Sequence, residues 1–516
     1  MLTRVKLRNG AVGGDEINLV KTPGKTQQPS PNKAMLAIAV ASFVVGAVVR
    51  VLAAQNDLWF DEVWTLQLLR ERVHSFGDVF TNLKHSNNHH LCSLWMWLVG
   101  QNASALVYRL PFVLASIGTV ALAGFIGARR SWLEGCIAVI LTSWSYLLIH
   151  FGTEARGYSL AIFFAMLAWY ALQQFEERRS WIWTIVFWSA VVLGFLAHLE
   201  FVICFAGLAA WALWRLARHR SKWRQGVLDL FALFTVPVVL LLAFYFVAIR
   251  GMEVARGDPY RLWPLLIKTA SYMFGGPGSG AVAGIIALLA VASIYVVLVY
   301  LMFERDDRWI FYAVVIVVPL VVIAIQRPEQ LYVRYFIISV AVSLVLLSSG
   351  YAALLRRGVA GLGIGLTLFA VFVAGNAVNT GNLLRFGRGH YLAALHFMEK
   401  NSGGREVVIT SDHDFRNAML VNYYKRYLER PDYIRYMDGP ALDAEYGRAK
   451  GTSLGAEWLI LHRFDLREHP ERVTDHFGNN YQLMTIYRYS DLSGWNWLLY
   501  RNLNRPPVTP HSPLLQ

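Results

Sequence analysis

From Ala34 onward the chain alternates long apolar runs with short polar breaks, a pattern of repeated membrane crossing rather than of one-sided surface helices. A spanning helix needs roughly 17–25 apolar residues. Runs of that length begin near Ala34, Ala105, Trp132, Gly157, Trp181, Glu200, Val227, Gly280, Trp309, Tyr335 and Val359, which predicts about eleven transmembrane helices. The piece LCSLWMWLVG, 91–100, is apolar but too short to span, and reads as a helix lying in the membrane interface. Beyond about Asn382 the pattern changes and the chain becomes polar. REVVIT (405–410), AEWLILH (456–462) and YQLMTIYRYS read as strands, while HYLAALHFMEK and FRNAMLVNYYKRYLE read as helices. Strands alternating with helices predict a small α/β domain.

The expected fold class is therefore mainly α: a polytopic membrane helical bundle with a C-terminal soluble α/β domain. Its parts are a tail over 1–33, a transmembrane portion over 34–381 with a long first loop at 55–104, and the α/β domain over 382–516. That domain has no glycine-rich phosphate loop, so no nucleotide is assigned to it.

Composition supports the membrane reading. Hydrophobic residues make up 56% of the chain and charged ones 16%, with a mean hydropathy of +0.39, whereas soluble domains carry about 25% charge. A net charge of +14 in a soluble protein would point to nucleic acid. Here the cations fall in loops between spans, so membrane lipids are the expected surroundings and no nucleic-acid partner is expected. Cys92, Cys136 and Cys204 form neither a disulfide framework nor a metal-ligand spacing. Residues 1–33 are polar and basic with no short apolar core, so the first span reads as an uncleaved signal anchor.

Charge also orders the loops. Strict alternation of the spans puts the tail before Lys33, Arg129-Arg130, EERR at 176–179 and RLARHRSKWR at 215–224 on one face. ERDDR at 304–308 and Arg356-Arg357 join them there, and the positive-inside rule makes that face cytoplasmic. The outer face then receives the first loop, the turns at Glu154 and at His198–Glu200, a loop over 250–279, the segment 326–334 and the C-terminal domain. The glycine-rich stretch GGPGSG at 275–280 reads as a flexible hinge of the kind a lid uses.

Chemistry-bearing residues gather on that outer face. LWFDEVWTL, 58–66, sets Asp61 and Glu62 among Trp59, Phe60 and Trp64 at the membrane edge. Acids favour a helix N-terminus, but ionisable groups near hydrocarbon are costly and tend to be functional. HSNNHHLCSL, 85–94, crowds Asn88, His89 and His90 into the same loop. Acids with histidines could bind a divalent ion, yet His85, His89 and His90 match no zinc-site spacing. No metal ligands are assigned, no cofactor is certain, and a divalent cation is left open. FGTEARGYSL, 151–160, carries Glu154, Arg156 and Tyr158; QRPEQLYVRYF, 326–336, carries Arg334 and Tyr335; Arg109 in YRLPF adds another cation. A positioned carboxylate can take a proton from an acceptor hydroxyl, and guanidinium groups can hold a departing phosphate. A hydrocarbon tail on that phosphate would explain a site at a membrane edge.

In the order and placement of Asp61-Glu62, the NNHHL stretch, EARGYS and VRYF, the chain resembles the GT-C glycosyltransferases. These are integral-membrane enzymes that use polyprenyl-phosphate sugars, among them aminoarabinose transferases and protein O-mannosyltransferases. The resemblance implies Asp61 as catalytic base with Glu62 as its acidic neighbour. It also implies Arg156 and Arg334 near the donor phosphate, with Arg109 as a further phosphate-binding candidate. Asn88, His89, Glu154, Tyr158 and Tyr335 are the candidates for holding substrate. Many relatives carry His-Pro-Pro-Leu where this chain has Asn88-His89-His90-Leu91, and Arg-Pro-Tyr where it has Arg156-Gly157-Tyr158. The implied reaction is an inverting transfer from a polyprenyl-phosphate sugar to a glycan, lipid or protein acceptor, on the outer face of a bacterial inner membrane. Two alternatives stay open. A flippase or transporter of lipid-linked glycans would more typically show internal repeats and midplane charges; a scaffold would work through the outer α/β domain.

Overall fold

The computed structural model describes residues 32–218, 223–254, 260–402, 406–446, 455–466, 469–492 and 494–505. The basic tail over 1–31 and the middle of RLARHRSKWR lie outside the described residues.

Helix α1 (Lys33–Ala53) is followed by the first loop, which holds α2 (Phe60–Arg72), the short α3 (Asp78–Thr81) and α4 (His90–Val99). Then come α5 (Ala105–Ala128), α6 (Trp132–Trp144), α7 (Tyr146–Gly152), α8 (Tyr158–Arg178), α9 (Trp181–Ala197), α10 (Phe201–Arg218) and α11 (Trp223–Phe244). Helices α12 (Leu262–Met273), α13 (Ala281–Phe303), α14 (Arg308–Gln326), α15 (Ile337–Leu355) and α16 (Gly358–Phe386) complete the bundle. Among the described residues nine helices are long and apolar enough to cross a membrane, so the protein is a multi-pass membrane protein. The two remaining predicted spans are α6 with α7, a pair bent by 61°, and α9, whose 17 apolar residues fall just short of that length.

The bend has a cause and a remedy. Ser145 ends α6 and caps α7, accepting from the Leu148 N–H at 3.4 Å. Breaking a helix inside the bundle frees backbone groups that hydrocarbon cannot satisfy. Asn376 of α16 accepts from the Tyr146 N–H at 2.7 Å. Arg50, 1% exposed, donates to the carbonyls of Thr142 and Ser143 at 2.9 and 3.1 Å, placing a cation at the C-terminal end of α6. Central and peripheral helices differ sharply: 83% of the apolar window over Val333–Leu355 is buried in the protein, against 11% for Trp223–Ile249.

Ion pairs gather the loops at two ends. At one end Arg129 meets Glu177, Arg130 meets Asp306, and Arg215 meets Glu176 and Asp307. These are loops that the charge pattern assigned to one face. In the predicted hinge GGPGSG the first two glycines pack against α16, while Pro277, Ser279 and Gly280 are exposed. The Asn379 amide donates to the carbonyls of Gly275 and Gly276 at 3.3 and 3.0 Å, and a Cβ on Gly275 would lie 2.6 Å from the Asn376 nitrogen. Gly275 also has φ of +82°, so glycine is required there for space and for conformation.

The C-terminal portion adds α17 (Tyr391–Lys400), α18 (Asp414–Tyr424) and α19 (Gly439–Tyr446) around a six-stranded sheet. Its strands are β1 (Val407–Ser411), β2 (Ile434–Tyr436), β3 (Trp458–Arg463), β4 (Arg472–Thr474), β5 (Asn480–Tyr487) and β6 (Asn496–Asn502), in the order β2-β1-β3-β6-β5-β4. Strands β2, β1 and β3 are parallel and the rest antiparallel. The sheet domain shares a buried apolar core with the first loop: Leu58, Phe60 and Leu69 join Leu420, Trp458 and Trp497 in one cluster. The Tyr424 hydroxyl donates to the Leu58 carbonyl at 2.6 Å. Thus α2, with its two acids, is held between the bundle and the sheet domain.

Candidate functional site

Helix α2 begins at Phe60, and the two acids of its first turn enter different surroundings. Glu62 reaches back to accept from the Trp59 N–H at 3.0 Å, so it helps start the helix. It also takes the Arg109 guanidinium in a two-pronged pair, Nε to Oε1 at 2.8 Å and Nη2 to Oε2 at 2.5 Å, and accepts from the Ala155 N–H at 2.6 Å. The rest of Arg109 donates to the carbonyls of Ala54, Asn56 and Asp57 at 3.1, 2.6 and 3.0 Å. Both side chains are 0% exposed. Every Arg109 nitrogen therefore has a partner within the protein, and the pair is a clamp joining α2, α5 and the Glu154 turn. This differs from the expected role of Arg109 on a phosphate.

Asp61 lies on the neighbouring face of α2. Its Oδ2 is 3.4 Å from Arg334 Nη1 and 3.7 Å from Arg156 Nη2. Charge-assisted N–H···O bonds run to about 2.7–2.9 Å, so both are loose ion pairs rather than closed hydrogen bonds. Arg156 is anchored from its other side: Nη1 donates to the Asn87 side chain at 2.7 Å and to the Asn87 carbonyl at 3.2 Å. Asn87 in turn donates to the Asp61 carbonyl and to the Thr65 hydroxyl at 3.1 and 3.0 Å. Arg334, on the short helical turn Val333–Phe336, is held by rings, with its guanidinium carbon 4.2 Å from the centre of Tyr332, 5.8 Å from Trp59 and 5.9 Å from Tyr335. The Nε atoms of Arg156 and Arg334 are buried without a hydrogen-bond partner.

Glu154, Asn88, His89, Tyr158 and Tyr335 fall into distinct groups. Glu154 is fully buried and paired with His150 and Arg388, each at 3.2 Å. Burial alone would raise its carboxyl, but the hydrogen bond from His150 and the charge of Arg388 outweigh burial and bring it down to about 2. Asn88 is consumed locally, donating to the carbonyls of Val79 and Leu83 and accepting from Ser93 at 2.6 Å. His89 stacks on His198 with centroids 4.6 Å apart and 22° between planes, and Tyr158 lies against both. Burial, reinforced by the charges of Arg156 and Arg334, lowers His198 to about 3 and His89 well below the usual range, so both rings are neutral near pH 7. A cavity of about 60 Å³ opens beside the stack, lined by His89, His90, His198 and Met252 among others. Glu200 follows on the same turn; burial raises its carboxyl well above the usual range against the opposing charge of Arg334.

Gly157 explains a departure from the family pattern. A Cβ at this position would lie 1.8 Å from the Ala197 carbonyl oxygen and 3.1 Å from His89 Nδ1. Proline, which many relatives carry there, would collide, and only glycine lets the turn press against the histidine stack.

The histidines do not converge on an ion. His85 packs on Trp64, His89 on His198, and His90 between Phe80 and Phe244. Among the described residues no group of three or more His, Cys, Asp or Glu could hold a metal ion.

Two residues were missed. Asn87 sits in the same NNHH stretch as Asn88, but which of the pair faces the acids depends on the loop's path. Arg388 donates to Glu154, to the carbonyls of Ala53 and His150, and to Thr153. An arginine set apart from the loops that the cation clusters group together is the signal that also marks Arg156.

No protein-family model matches the chain, and no curated protein matches it. Among solved structures it is similar to ArnT from Cupriavidus metallidurans bound to undecaprenyl phosphate, at 12% identity and a TM-score of 0.48 over 90% of this chain and 97% of that one. It is also similar to the oligosaccharyltransferase of Archaeoglobus fulgidus tethered with an acceptor peptide, at 11% identity and a TM-score of 0.45 over 83% and 69%. Arabinosyltransferase EmbB from Mycobacterium smegmatis is matched at 11% identity and a TM-score of 0.43, over 64% of this chain and 32% of that one.

Proposed function

We propose that this protein is a glycosyltransferase working on the outer face of a bacterial inner membrane. It takes a sugar from a polyprenyl-phosphate donor and passes it, with inversion, to a hydroxyl of a cell-envelope glycan, lipid or protein. The observation that carries the proposal is the Asp61 cluster: one carboxylate between two guanidinium groups, brought from three distant parts of the chain, each arginine with an unpartnered buried Nε. The cluster, not the distant structural likeness, is the support.

In this reaction Asp61 accepts the proton of the acceptor hydroxyl. The acceptor oxygen attacks the anomeric carbon from the face opposite the phosphate, and the bond from that carbon to the phosphate oxygen breaks. The electron pair leaves with the polyprenyl phosphate, whose charge Arg156 and Arg334 stabilise. The loose contacts of both arginines to Asp61 leave donors free to turn to the phosphate. Glu62 and Arg109 position α2 and the Glu154 turn without touching substrate. The neutral His89–His198 stack, with Tyr158, offers a flat face for the sugar ring.

The test is donor turnover by purified protein in lipid, with a panel of polyprenyl-phosphate sugars and an envelope extract as acceptor. Release of polyprenyl phosphate that requires the extract and is lost in Asp61→Asn is expected. Tight binding of a lipid-linked glycan with no release from any donor would replace the enzyme with a flippase.

A further inference from the structure

The reaction proposed above accounts for the Asp61 face of α2 but leaves the adjoining face unexplained. There a continuous run of rings and one cation crosses from α2 onto the sheet domain. Phe415 of α18 lies edge-on to Phe60 and Trp64, with centroids 5.9 and 5.3 Å away. The Arg416 guanidinium sits 4.5 Å over the Phe60 ring and 5.8 Å from Trp495. Trp495 is sandwiched by His462 at 3.9 Å with planes 5° apart and by Phe464 at 3.6 Å. Buried rings would need no further comment, but Phe415 and Phe464 are 57% and 63% exposed. Arg416 has no carboxylate partner among the described residues; its Nη1 lies 3.4 Å from His462 Nε2. Burial, together with the charges of Arg416, His413 and Arg463, lowers His462 to about 2, so a neutral imidazole completes the stack.

We infer that Phe415, Arg416, Trp495 and Phe464, backed by the buried rings of Phe60 and His462, form an acceptor subsite that takes a saccharide chain; the inference rests on the transferase reading above. A pyranose or furanose ring presents C–H groups on one face and hydroxyls around its rim. The exposed faces of Phe464 and Phe415 suit the first, and the Arg416 guanidinium suits the second, with the buried His462 supporting Trp495 from behind. A carboxylate or phosphate substituent on the saccharide would fill the unpaired side of Arg416. Rings interleaved with Arg would also suit a membrane interface, and the test below separates the two occupants. The strip ends on Phe60, the residue before Asp61, so a saccharide lying along it leads its end toward the proposed base.

The test uses the full chain in nanodiscs with three probe ladders: neutral glucan oligomers, mannan oligomers and carboxylated galacturonate oligomers. Binding is measured at equilibrium for wild type, Phe464→Ala, Phe415→Ala and Arg416→Gln. The exposed phenylalanines can be removed without opening the core, and retained thermal stability checks this directly. At least one ladder binds wild type, weakened about tenfold by Phe464→Ala, with Arg416→Gln acting most on the carboxylated probes. No binding by wild type, or equal binding by all variants, overturns the inference. So does a change confined to tryptophan quenching by brominated lipids, which would mark the strip as a membrane contact. Asp61→Asn is run beside them. It should bind the saccharide as wild type does while turning over no donor. Saccharide binding by a wild-type protein that turns over no donor keeps the subsite and sinks the transferase; wild-type donor turnover with no saccharide binding does the reverse.

Discussion

Asp61 and Glu62 are adjacent in the chain, and each meets arginine, yet the protein treats them differently. Around Glu62 both carboxylate oxygens are engaged by Arg109, Trp59 and Ala155, and every Arg109 nitrogen is bonded within the protein. Around Asp61 the contacts are longer, at 3.4 and 3.7 Å, and Arg156 and Arg334 each keep a buried Nε without a partner. A closed pair is an element of architecture; an open one has capacity for a ligand. Glu154 lies between the two kinds: its Oε1 meets His150 and Arg388 while its Oε2 is buried without a hydrogen-bond partner, and Arg388 fixes the Glu154 turn to the end of α1 through the Ala53 carbonyl.

The comparison predicts opposite consequences for similar substitutions. The largest effect is on stability at the closed pair. Removing one partner of a buried ion pair costs about 3–5 kcal/mol, so Glu62→Ala should lower the unfolding temperature in detergent markedly, whereas equal stability to wild type would refute the clamp. Next comes Arg334→Gln, which should cut donor turnover roughly 10²–10³-fold, the range for losing one charge-stabilising donor, while leaving the melt unchanged. A variant that loses stability but keeps turnover would place Arg334 with the closed group. Asn88→Ala removes the side chain tying together the carbonyls of Val79 and Leu83 and should cost about 1–3 kcal/mol of stability, with a proportionate effect on turnover only through folding.

The smallest effect concerns pH. His89 and His198 titrate in the folded protein below the ordinary histidine value. Below about pH 6.5 the unfolded chain therefore binds protons that the folded one excludes. Stability should then fall on acidification, by up to about 1.4 kcal/mol per pH unit for each histidine, and be level above about pH 7. Melts between about pH 7.5 and 5 would show the slope, and replacing both histidines by glutamine should make it shallower, with His462 among the groups that keep the remainder; an unchanged slope would mean the two rings are protonated or exposed.

Much of this arrangement is legible in the sequence because it depends on run length and charge sign. Each predicted span start has a helix, and the loops grouped by their cations meet through Arg129, Arg130 and Arg215. Asp61, Arg156 and Arg334 were singled out as charges at the membrane edge, and they come together. What the sequence did not reveal depends on partners distant in the chain. Arg388 meets Glu154 across 234 positions, so its closed role is invisible locally. The break at Ser145 lies within an apolar run and is stabilised by Asn376 and Arg50, neither of them a neighbour in sequence. Strand β6 is not among the runs that read as strands, and the short β2 and β4 carry too few residues for a period to register. The division of labour between Asp61 and Glu62 could not be read at all, since both are acids in one helical turn and only the position of Arg109 separates them.

The most direct test of the open-site account is the Asp61→Asn protein in nanodiscs, with donor binding and polyprenyl-phosphate release measured on the same preparation. The account predicts a wild-type melt, retained binding of a polyprenyl-phosphate sugar, and release reduced by about 10²–10⁴-fold, the usual contribution of a positioned base. Release at the wild-type rate from a well-folded Asp61→Asn protein would contradict it.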